Sequence, residues 1–310
     1  MMQPSSQFAP GAYAILATPF DREERLDEAG LERLAAFYEE RGAAGLVVLA
    51  VMGEGAKVDG EERKRAIAAA LRARRAVPVT VGVTAPSAHL VRQRIDQAAE
   101  MGAHSVLLSP SAGMDGEGVR ALFTEAGRAG VPIVLQDHPQ SSNVHMPHTL
   151  IARVLGEVEA VVAVKNEAPP TSIKTRRVIA SVGDDRPFTM LGGLGALSLL
   201  DEMDAGAHGT MTGFAYPEVL GAIVAAYNAG DRDRARRLYE AFLPWLVFES
   251  TAVVSLAIRK ELLRLRGLIG CAVVRSPAPG LDEGLVRRAA ELDAAFAETA
   301  RTHHIGMEAG

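Results

Sequence analysis

One lysine in this sequence stands where it could do covalent chemistry. Lys165 directly follows the apolar run Val161–Val164 and precedes two polar residues. A lysine at such a position either extends its ammonium group to solvent or lies in apolar surroundings that lower its pKa. In the second case the neutral amine is a nucleophile that can attack the carbonyl carbon of a ketone. Lys165 is therefore the first candidate catalytic residue.

A second polar group follows the apolar run that begins at Pro132, with Gln136, Asp137 and His138 in succession. Alternate residues of a strand point to the same side, so Gln136 and His138 are expected to share a face and Asp137 to point the other way. A histidine with an ordinary pKa of about 6.5 can transfer protons at neutral pH. The Gln136 amide can hydrogen-bond but cannot titrate. His138 is thus a candidate acid or base, unless it only hydrogen-bonds a neighbour in the loop.

These candidates need elements that place them together. Short runs rich in Val, Ile and Leu alternate with longer segments of helical period, as in parallel sheets whose faces are covered by helices. Eight runs can be counted: Ala12–Ala17, Gly45–Ala50, Val77–Val83, Ser105–Ser109, Pro132–Asp137, Ala160–Lys165, Phe188–Leu191 and His208–Thr212. The count favours a (β/α)8 TIM barrel. The rival is a doubly wound open sheet, which usually carries a glycine-rich turn after its first strand, and residues 18–20 are not such a turn.

The strands cease after Pro217, and four helical segments follow: Glu218–Ala229, Arg232–Phe248, Thr251–Gly267 and Asp282–Arg301. The predicted organisation is a disordered tail over residues 1–10, a barrel over 11–216, and C-terminal helices over 217–310 that pack on the barrel or on a neighbour. In such a barrel the functional residues lie where the strands end and the βα loops begin.

The composition argues against several classes of partner. The chain has 310 residues, 48% of them hydrophobic, and a formal net charge of -5, so nucleic acid and anionic membranes are not attracted to it. No window has the roughly 18 apolar residues of a membrane span. Cys271 is the single cysteine, and no Cys/His cluster has zinc spacing, so neither a disulfide nor a metal or other cofactor is expected. A cytoplasmic location fits these features.

Several short motifs, in order, resemble those of the dihydrodipicolinate synthase/N-acetylneuraminate lyase family of Schiff-base aldolases and dehydratases. The resemblance spans about Gly11 to Pro277. Its pieces are Ala17-Thr18-Pro19-Phe20, Gly53-Glu54, Pro139, Val164-Lys165, Gly192-Gly193, Gly206-Ala207-His208-Gly209 and Arg275-Ser276-Pro277. It implies that Lys165 forms an imine with a 2-oxo acid. It also implies a barrel with a C-terminal helical extension and a homotetramer or dimer.

The loop after the second strand departs from the family pattern. Val51 and Met52 replace the two hydroxyl residues that hold the substrate carboxylate in the family. Backbone N–H groups can still bind an anion there, so Val51, Met52 and Gly53 remain candidate substrate-binding residues. Glu54 is expected to pin this loop; the alternative is a solvated charge.

A larger departure is Gln136, which stands where the family has a proton-relay tyrosine. The residues 109–112 lack the tyrosine pair of synthase-type members, and no arginine follows Pro139 within residues 140–144. A true dihydrodipicolinate synthase is therefore not expected. His138 is the first substitute for the tyrosine, and Tyr216 is the second.

The remaining site candidates lie after the sixth, seventh and eighth strands. Gly192 and Gly193 would leave room for substrate beside the imine, and Thr212 would face the same mouth. Asn166 and Glu167 either cap the next segment or orient substrate hydroxyls.

Three functional hypotheses remain. The leading one is a Schiff-base lyase, dehydratase or aldolase, acting on a 2-oxo acid such as a 2-oxo-3-deoxy sugar acid. The second is a catalytically silent relative that binds a 2-oxo acid as a sensor or partner; Lys165 argues against it and the missing relay residues argue for it. The third is a barrel of metal or phosphate chemistry, which lacks a ligand cluster and a glycine-rich phosphate loop in this sequence.

Overall fold

The chain forms a closed barrel of eight parallel strands in a computed structural model that describes residues 8–184 and 186–306. Each strand pairs with the next along the chain, and β8 pairs with β1. The strands are β1 Gly11–Ile15, β2 Gly45–Val48, β3 Val79–Gly82, β4 Ser105–Leu108, β5 Ile133–Asp137, β6 Val161–Asn166, β7 Thr189–Gly192 and β8 Gly209–Thr212. All eight predicted strands are confirmed, and so is the barrel.

Both faces of these strands are buried, which explains why their sequences are continuous apolar runs rather than alternating ones. Inward-pointing residues fill the barrel, among them Tyr13, Val47, Leu107, Val134 and Leu191. The outward-pointing residues pack under the helices in a larger core. Interior packing leaves only the ends of the barrel available for a site, and the βα loops build the site at the carboxyl ends of the strands.

The helices follow the strands in order. They are α1 Glu28–Glu40, α2 Gly60–Ala73, α3 Ala88–Glu100, α4 Gly116–Gly127, α5 Pro139–Ser142, α6 His148–Glu157, α7 Thr171–Val182, α8 Leu199–Asp204, α9 Pro217–Asn228, α10 Arg232–Glu249, α11 Ser255–Leu265 and α12 Glu283–Thr302. Short 3₁₀ helices occupy Val51–Gly53 and Leu194–Ala196. Several helices start where the sequence predicts; Asp27, for example, accepts the Gly30 N–H as the N-cap of α1. The short helix α5, directly after Asp137 and His138, was not predicted.

The predicted tail over residues 1–10 falls mostly outside the described residues. Within that range, however, Phe8 is buried at the amino-terminal end of the barrel. Its ring stacks on Tyr13 at 4.8 Å between centroids, and its carbonyl oxygen accepts a hydrogen bond of 2.6 Å from Thr189 Oγ1. For Phe8 the prediction of a tail is wrong, because this ring covers apolar side chains at the floor of the barrel.

The boundary at residue 217 also needs correction. Pro217 and Leu220 of α9 lie against Ala12 and Ala14 of β1 and against Tyr38 of α1. Helix α9 therefore covers the seam where β8 meets β1, and it is the eighth helix of the barrel.

The C-terminal layer consists of α10, α11 and α12. Trp245 of α10 donates a hydrogen bond of 3.0 Å to the Leu292 carbonyl of α12, and Phe296 of α12 stacks on Tyr216 at 4.1 Å. None of the helices in the described ranges is long and apolar enough to cross a membrane.

Candidate active site

Lys165 lies at the carboxyl end of β6 and points into the mouth of the barrel. Its side chain is 3% exposed, and its Nζ lies 2.8 Å from Oε2 of Glu167. A buried ammonium group needs such a partner, because desolvation without a counter-charge is costly. The buried amine and the carboxylate beside it are therefore the centre of the site.

Glu167 is held from several sides. Gln136 Nε2 donates a hydrogen bond of 2.7 Å to the same Oε2 that contacts Lys165, and the Leu194 backbone N–H donates one of 3.1 Å to Oε1. Gln136 pairs with Lys165 across β5 and β6, so the two side chains enter the mouth side by side. A Cβ atom at Gly193 would lie 2.4 Å from Glu167 Cγ, which only a glycine avoids.

The environment of Glu167 sets its charge. Burial by itself raises the pKa of this carboxyl group, but the nearby charges of Lys165 and His138 and the hydrogen bonds from Lys165 and Gln136 outweigh burial. The net effect is a pKa below the ordinary value, so the group is ionised at neutral pH. An ionised carboxylate 2.8 Å from an amine can accept and return that amine's proton.

The position of Glu167 beside Lys165 is the feature of the site that the sequence predicts least well. A cap or substrate-orienting role was expected for Glu167, and no proton-transfer role. The signal was present, because Glu167 follows Lys165 at the same two-residue spacing that linked His138 to Gln136. Two residues beyond Lys165 on an extended backbone return to the same face.

His138 lies near this pair but does not contact it through a hydrogen bond in the described part of the chain. Strand β5 ends at Asp137, and His138 is the N-cap residue of α5, where its Nδ1 lies 2.7 Å from Ser141 Oγ. Burial lowers the pKa of His138, with the charge of Glu167 opposing and that of Lys165 adding to the shift. The imidazole is therefore neutral at pH 7, and its role in proton transfer stays a prediction.

Asp137 and Asn166 point away from the mouth, as alternation along the strands requires. Asp137 forms a buried ion pair with Lys174 of α7, and burial raises the pKa of Asp137 despite that lysine. Asn166 accepts the Ala168 N–H and donates to the Thr171 carbonyl at 2.8 Å. Asn166 therefore holds the turn before α7, but it does not cap that helix, whose N-cap residue is Pro170 and which has no side-chain cap hydrogen bond.

Gly192 and Thr212 are not placed as predicted. The missing side chain of Gly192 makes room for a carboxylate of the protein, since a Cβ there would lie 1.8 Å from Glu202 Oε2. Met211 points into the barrel, so its neighbour Thr212 faces outward, where its hydroxyl accepts the Gly195 N–H at 3.2 Å. Gly193 borders the site, but the side chain of Glu167 occupies the space beside its α-carbon.

The loop after β2 is the 3₁₀ helix that holds Val51, Met52 and Gly53. Val51 is exposed beside the mouth, and Met52 packs on the inward-pointing core residues. The Gly53 N–H donates to the Ala50 carbonyl at 3.0 Å, so it is already paired.

Glu54 closes the same loop and is 2% exposed. Its carboxylate accepts hydrogen bonds from Lys260 of α11, from Lys57 at 3.2 Å and from the Arg275 backbone N–H at 2.9 Å. The prediction that Glu54 pins the loop is confirmed, and the partner Lys260 carries no signal in the sequence.

Tyr216, the second acid candidate, lies away from the mouth. It is fully buried, and its hydroxyl donates a hydrogen bond of 3.0 Å to Asp293 of α12. Arg266 lies over its ring at 4.5 Å. The structure therefore places Tyr216 in the packing between the barrel and the C-terminal helices.

A cavity of about 510 Å³ opens beside the site at the carboxyl ends of β2 to β5. Gln136 forms part of its wall, so the cavity begins one strand away from Lys165. In the described ranges, no group of three or more His, Cys, Asp or Glu side chains is arranged to hold a metal ion.

Comparisons with known proteins agree with this architecture. A family model described as the dihydrodipicolinate synthetase family matches residues 9–291. The L-2-keto-3-deoxyarabonate dehydratase of Azospirillum brasilense is 30% identical over 284 residues, which cover 87% of this chain and 89% of that protein. The 4-hydroxy-tetrahydrodipicolinate synthase of Methanosarcina mazei is 31% identical over 239 residues, 76% of this chain and 80% of that protein. The crystal structure of a dihydrodipicolinate synthase from Rhodopseudomonas palustris has a TM-score of 0.88 at 31% identity, covering 95% of this chain and 99% of that one.

Proposed function

This chain belongs to the dihydrodipicolinate synthetase family, and we propose that it is a lyase that binds a 2-oxo acid as a Schiff base on Lys165. The observation that carries the proposal is the buried pair in the barrel mouth, with Lys165 Nζ 2.8 Å from Glu167 Oε2. The position of this pair at the carboxyl end of β6 supports the proposal, because the catalytic residues of TIM barrels lie at that end.

The proposed reaction begins when Glu167 takes a proton from the Lys165 ammonium group. The free amine attacks C2 of the 2-oxo acid, and Glu167 returns its proton to the C2 oxygen. That oxygen leaves as water with this proton and one from the amine nitrogen, so that a C=N bond to Lys165 replaces the C=O bond. The imine draws electrons from C3, and Glu167 accepts a C3 proton to give an enamine. The enamine then expels the C4 hydroxyl group, which takes the proton from Glu167 and leaves as water in a dehydratase. Hydrolysis of the imine releases the product and frees Lys165. In an aldolase the C4 hydroxyl gives its proton to Glu167 while the bond between C3 and C4 breaks in place of C3–H. An aldehyde leaves, and Glu167 then protonates C3 of the enamine.

The substrate carboxylate has a candidate position at the loop after β2. Val51 and Met52 are the first residues of the 3₁₀ helix, where backbone N–H groups lack partners within the helix. Backbone donors of this kind bind anions without side-chain help. The choice between dehydratase and aldolase does not follow from these contacts; the Azospirillum relative supports the dehydratase and, by its name, a 2-oxo-3-deoxy acid as the class of substrate.

Borohydride trapping tests the Schiff base. Incubation with pyruvate and borohydride should add one reduced adduct to the intact protein, located on the peptide that contains Lys165. Lys165→Ala should abolish the adduct, whereas Lys64→Ala, which changes an exposed lysine on α2, should leave it unchanged. An adduct of equal yield in Lys165→Ala would show that the imine forms elsewhere.

Two matched variants test which residue moves protons. Glu167→Gln keeps the shape of the side chain, retains trapping at long incubation, and should lower kcat by about 10² or more. His138→Gln should have a smaller effect, because His138 is paired with Ser141 and makes no hydrogen bond to Lys165. A larger loss in His138→Gln than in Glu167→Gln would assign proton transfer to the histidine.

A silent binding protein is the second candidate, supported by Gln136 and Val51 in the places of relay residues of the family. It predicts trapping of the 2-oxo acid without turnover of any 4-hydroxy-2-oxo acid tested. We also propose a dimer or tetramer, which light scattering would measure, and a cytoplasmic location.

A further inference from the structure

We propose that the cavity beside Lys165 selects 2-oxo acids whose tail is uncharged and mostly apolar, with a single hydroxyl group that reaches Ser109. This inference rests on the proposed function, because it assumes that the carbonyl carbon of the substrate lies at Lys165.

The rim of the barrel fixes the path of the tail. Ser109 directly follows Leu108, which pairs with Leu135, so Ser109 lies beside Gln136. Gln136 in turn pairs with Lys165. The tail of a substrate held at Lys165 can therefore enter the cavity past Gln136 and Ser109.

The walls of this cavity offer few polar groups. Most of the lining residues are aliphatic, proline or glycine, including Ala50, Ala85, Pro86, Leu107 and Pro110. A tail with several hydroxyl groups would bury some of them against these walls without hydrogen bonds, which costs about 1–3 kcal/mol for each group. The walls therefore match an alkyl or aryl tail better than a polyol.

Most hydroxyl groups of the wall already form hydrogen bonds with other groups of the protein. Ser111 Oγ donates a hydrogen bond of 2.6 Å to the Ala85 carbonyl, and Ser141 Oγ contacts His138. Thr84 Oγ1 accepts the Ser109 N–H at 2.9 Å.

Ser109 is the exception among them. The residue lines the cavity and is 3% exposed, and its Oγ is itself buried with no hydrogen-bond partner among the described residues. Buried hydroxyl groups are normally paired. When the Ser109 side chain turns towards the cavity, a hydroxyl group of the substrate near C4 would supply the missing partner.

The charges of the wall argue against a second carboxylate or a phosphate on the tail. Lys57 is the one basic residue in the described lining, and its Nζ already contacts Glu54 at 3.2 Å and the Arg275 carbonyl at 2.6 Å. A distal carboxylate would thus meet a lysine that is already paired, and it would find no free counter-charge in the described lining. An anion taken from water into such a place is strongly disfavoured.

Two six-carbon acids of the same chain length make the test. 2-Oxohexanoate ends in a methyl group and 2-oxoadipate in a carboxylate, so they differ at the far end alone. In borohydride trapping at limiting concentration, half-maximal labelling by 2-oxohexanoate should need at least about tenfold less ligand than labelling by 2-oxoadipate. Equal or tighter binding of 2-oxoadipate would overturn the proposal.

Two variants sharpen the test. Ala112→Arg places a cation on an exposed part of the wall and should improve labelling by 2-oxoadipate at least about fivefold while leaving 2-oxohexanoate within about twofold. Ser109→Ala should weaken 4-hydroxy-2-oxohexanoate about fivefold relative to 2-oxohexanoate. If neither variant changes the labelling by its test ligand, the tail of the substrate lies elsewhere.

Two further ligands separate the possible failures. Pyruvate has no tail, so its failure to label Lys165 would refute the proposed function rather than the selectivity. A 2-oxo-3-deoxypentonate that labels at lower concentration than 2-oxohexanoate would overturn the apolar tail and leave the Schiff base intact.

Discussion

Replacement of the buried carboxyl group of Glu202 should change how the stability of this protein depends on pH. Glu202 of α8 is 1% exposed, and neither of its carboxyl oxygens makes a well-formed hydrogen bond within the described residues. Burial raises its pKa from 4.5 to about 8; Thr171 opposes this in part, and the negative charges of Glu167 and Asp201 add to it. The folded protein therefore holds Glu202 as a neutral acid at pH 7.

The sign of the effect follows from proton release on unfolding. The unfolded chain ionises Glu202 above its ordinary pKa of 4.5, whereas the folded chain keeps the proton until pH 8 is approached. Stability is therefore lost as pH rises through this window. Between pH 5 and 7.5 the loss in the free energy of unfolding is about 3 kcal/mol, because each pKa unit corresponds to about 1.4 kcal/mol. For a chain of this length that is about 5 °C in Tm.

Thermal unfolding of Glu202→Gln across pH 5 to 7.5 checks this magnitude. The Tm of the variant minus the Tm of the wild type should be about 5 °C larger at pH 7.5 than at pH 5. Glu61→Gln, an exposed position on α2, serves as the control and should follow the wild type at every pH. If the Tm of Glu202→Gln and that of the wild type change with pH in parallel, the reasoning is refuted. The same holds if the Tm difference between the variant and the wild type falls from pH 5 to pH 7.5.

Three further predictions concern specificity and the C-terminal helices. Condensation of pyruvate with aspartate semialdehyde should be negligible in a coupled assay, because the second carboxylate meets no free cation in the cavity; robust turnover would contradict this. Lys260→Met leaves the buried Glu54 carboxylate without its main counter-charge and should cost about 3 kcal/mol, seen as a Tm decrease of about 5 °C. The control Lys64→Met breaks an exposed pair and should change Tm by less than about 2 °C. Tyr216→Phe removes the hydrogen bond to Asp293 and should cost about 1 kcal/mol with unchanged kcat; a kcat loss of tenfold or more would return Tyr216 to the list of acids.

The barrel could be predicted from sequence because its signals are local. Each strand is a short run of apolar residues, and caps such as Asp27 and Asp59 mark helix starts. Lys165 could also be found from a local signal, because a lysine directly after a fully apolar strand differs in polarity from the residues before it. The fifth strand ends at Asp137, as the sequence predicts. The face expected for His138 required the extended backbone to continue one residue further, and there the short helix α5 begins instead.

Contacts between distant parts of the chain were not predictable in the same way. Gly192 and Gly193 lack side chains because Glu202 and Glu167 fill the space next to them. A glycine pair in a sequence shows that space is needed, but it does not show which group occupies that space. The same holds for Glu54, whose role was expected and whose partner Lys260 was not.

The anchoring of the loop after β2 has a consequence for how this enzyme family can vary. Glu54 is held by Lys260 and by the backbone of Arg275, more than 200 positions further along the chain. Mutations in the loop and in the C-terminal helices are therefore epistatic: a change acceptable in one depends on the state of the other. Chimeras that exchange residues 217–310 between relatives should keep the barrel yet lose loop geometry, unless position 54 and its distant partners are exchanged together.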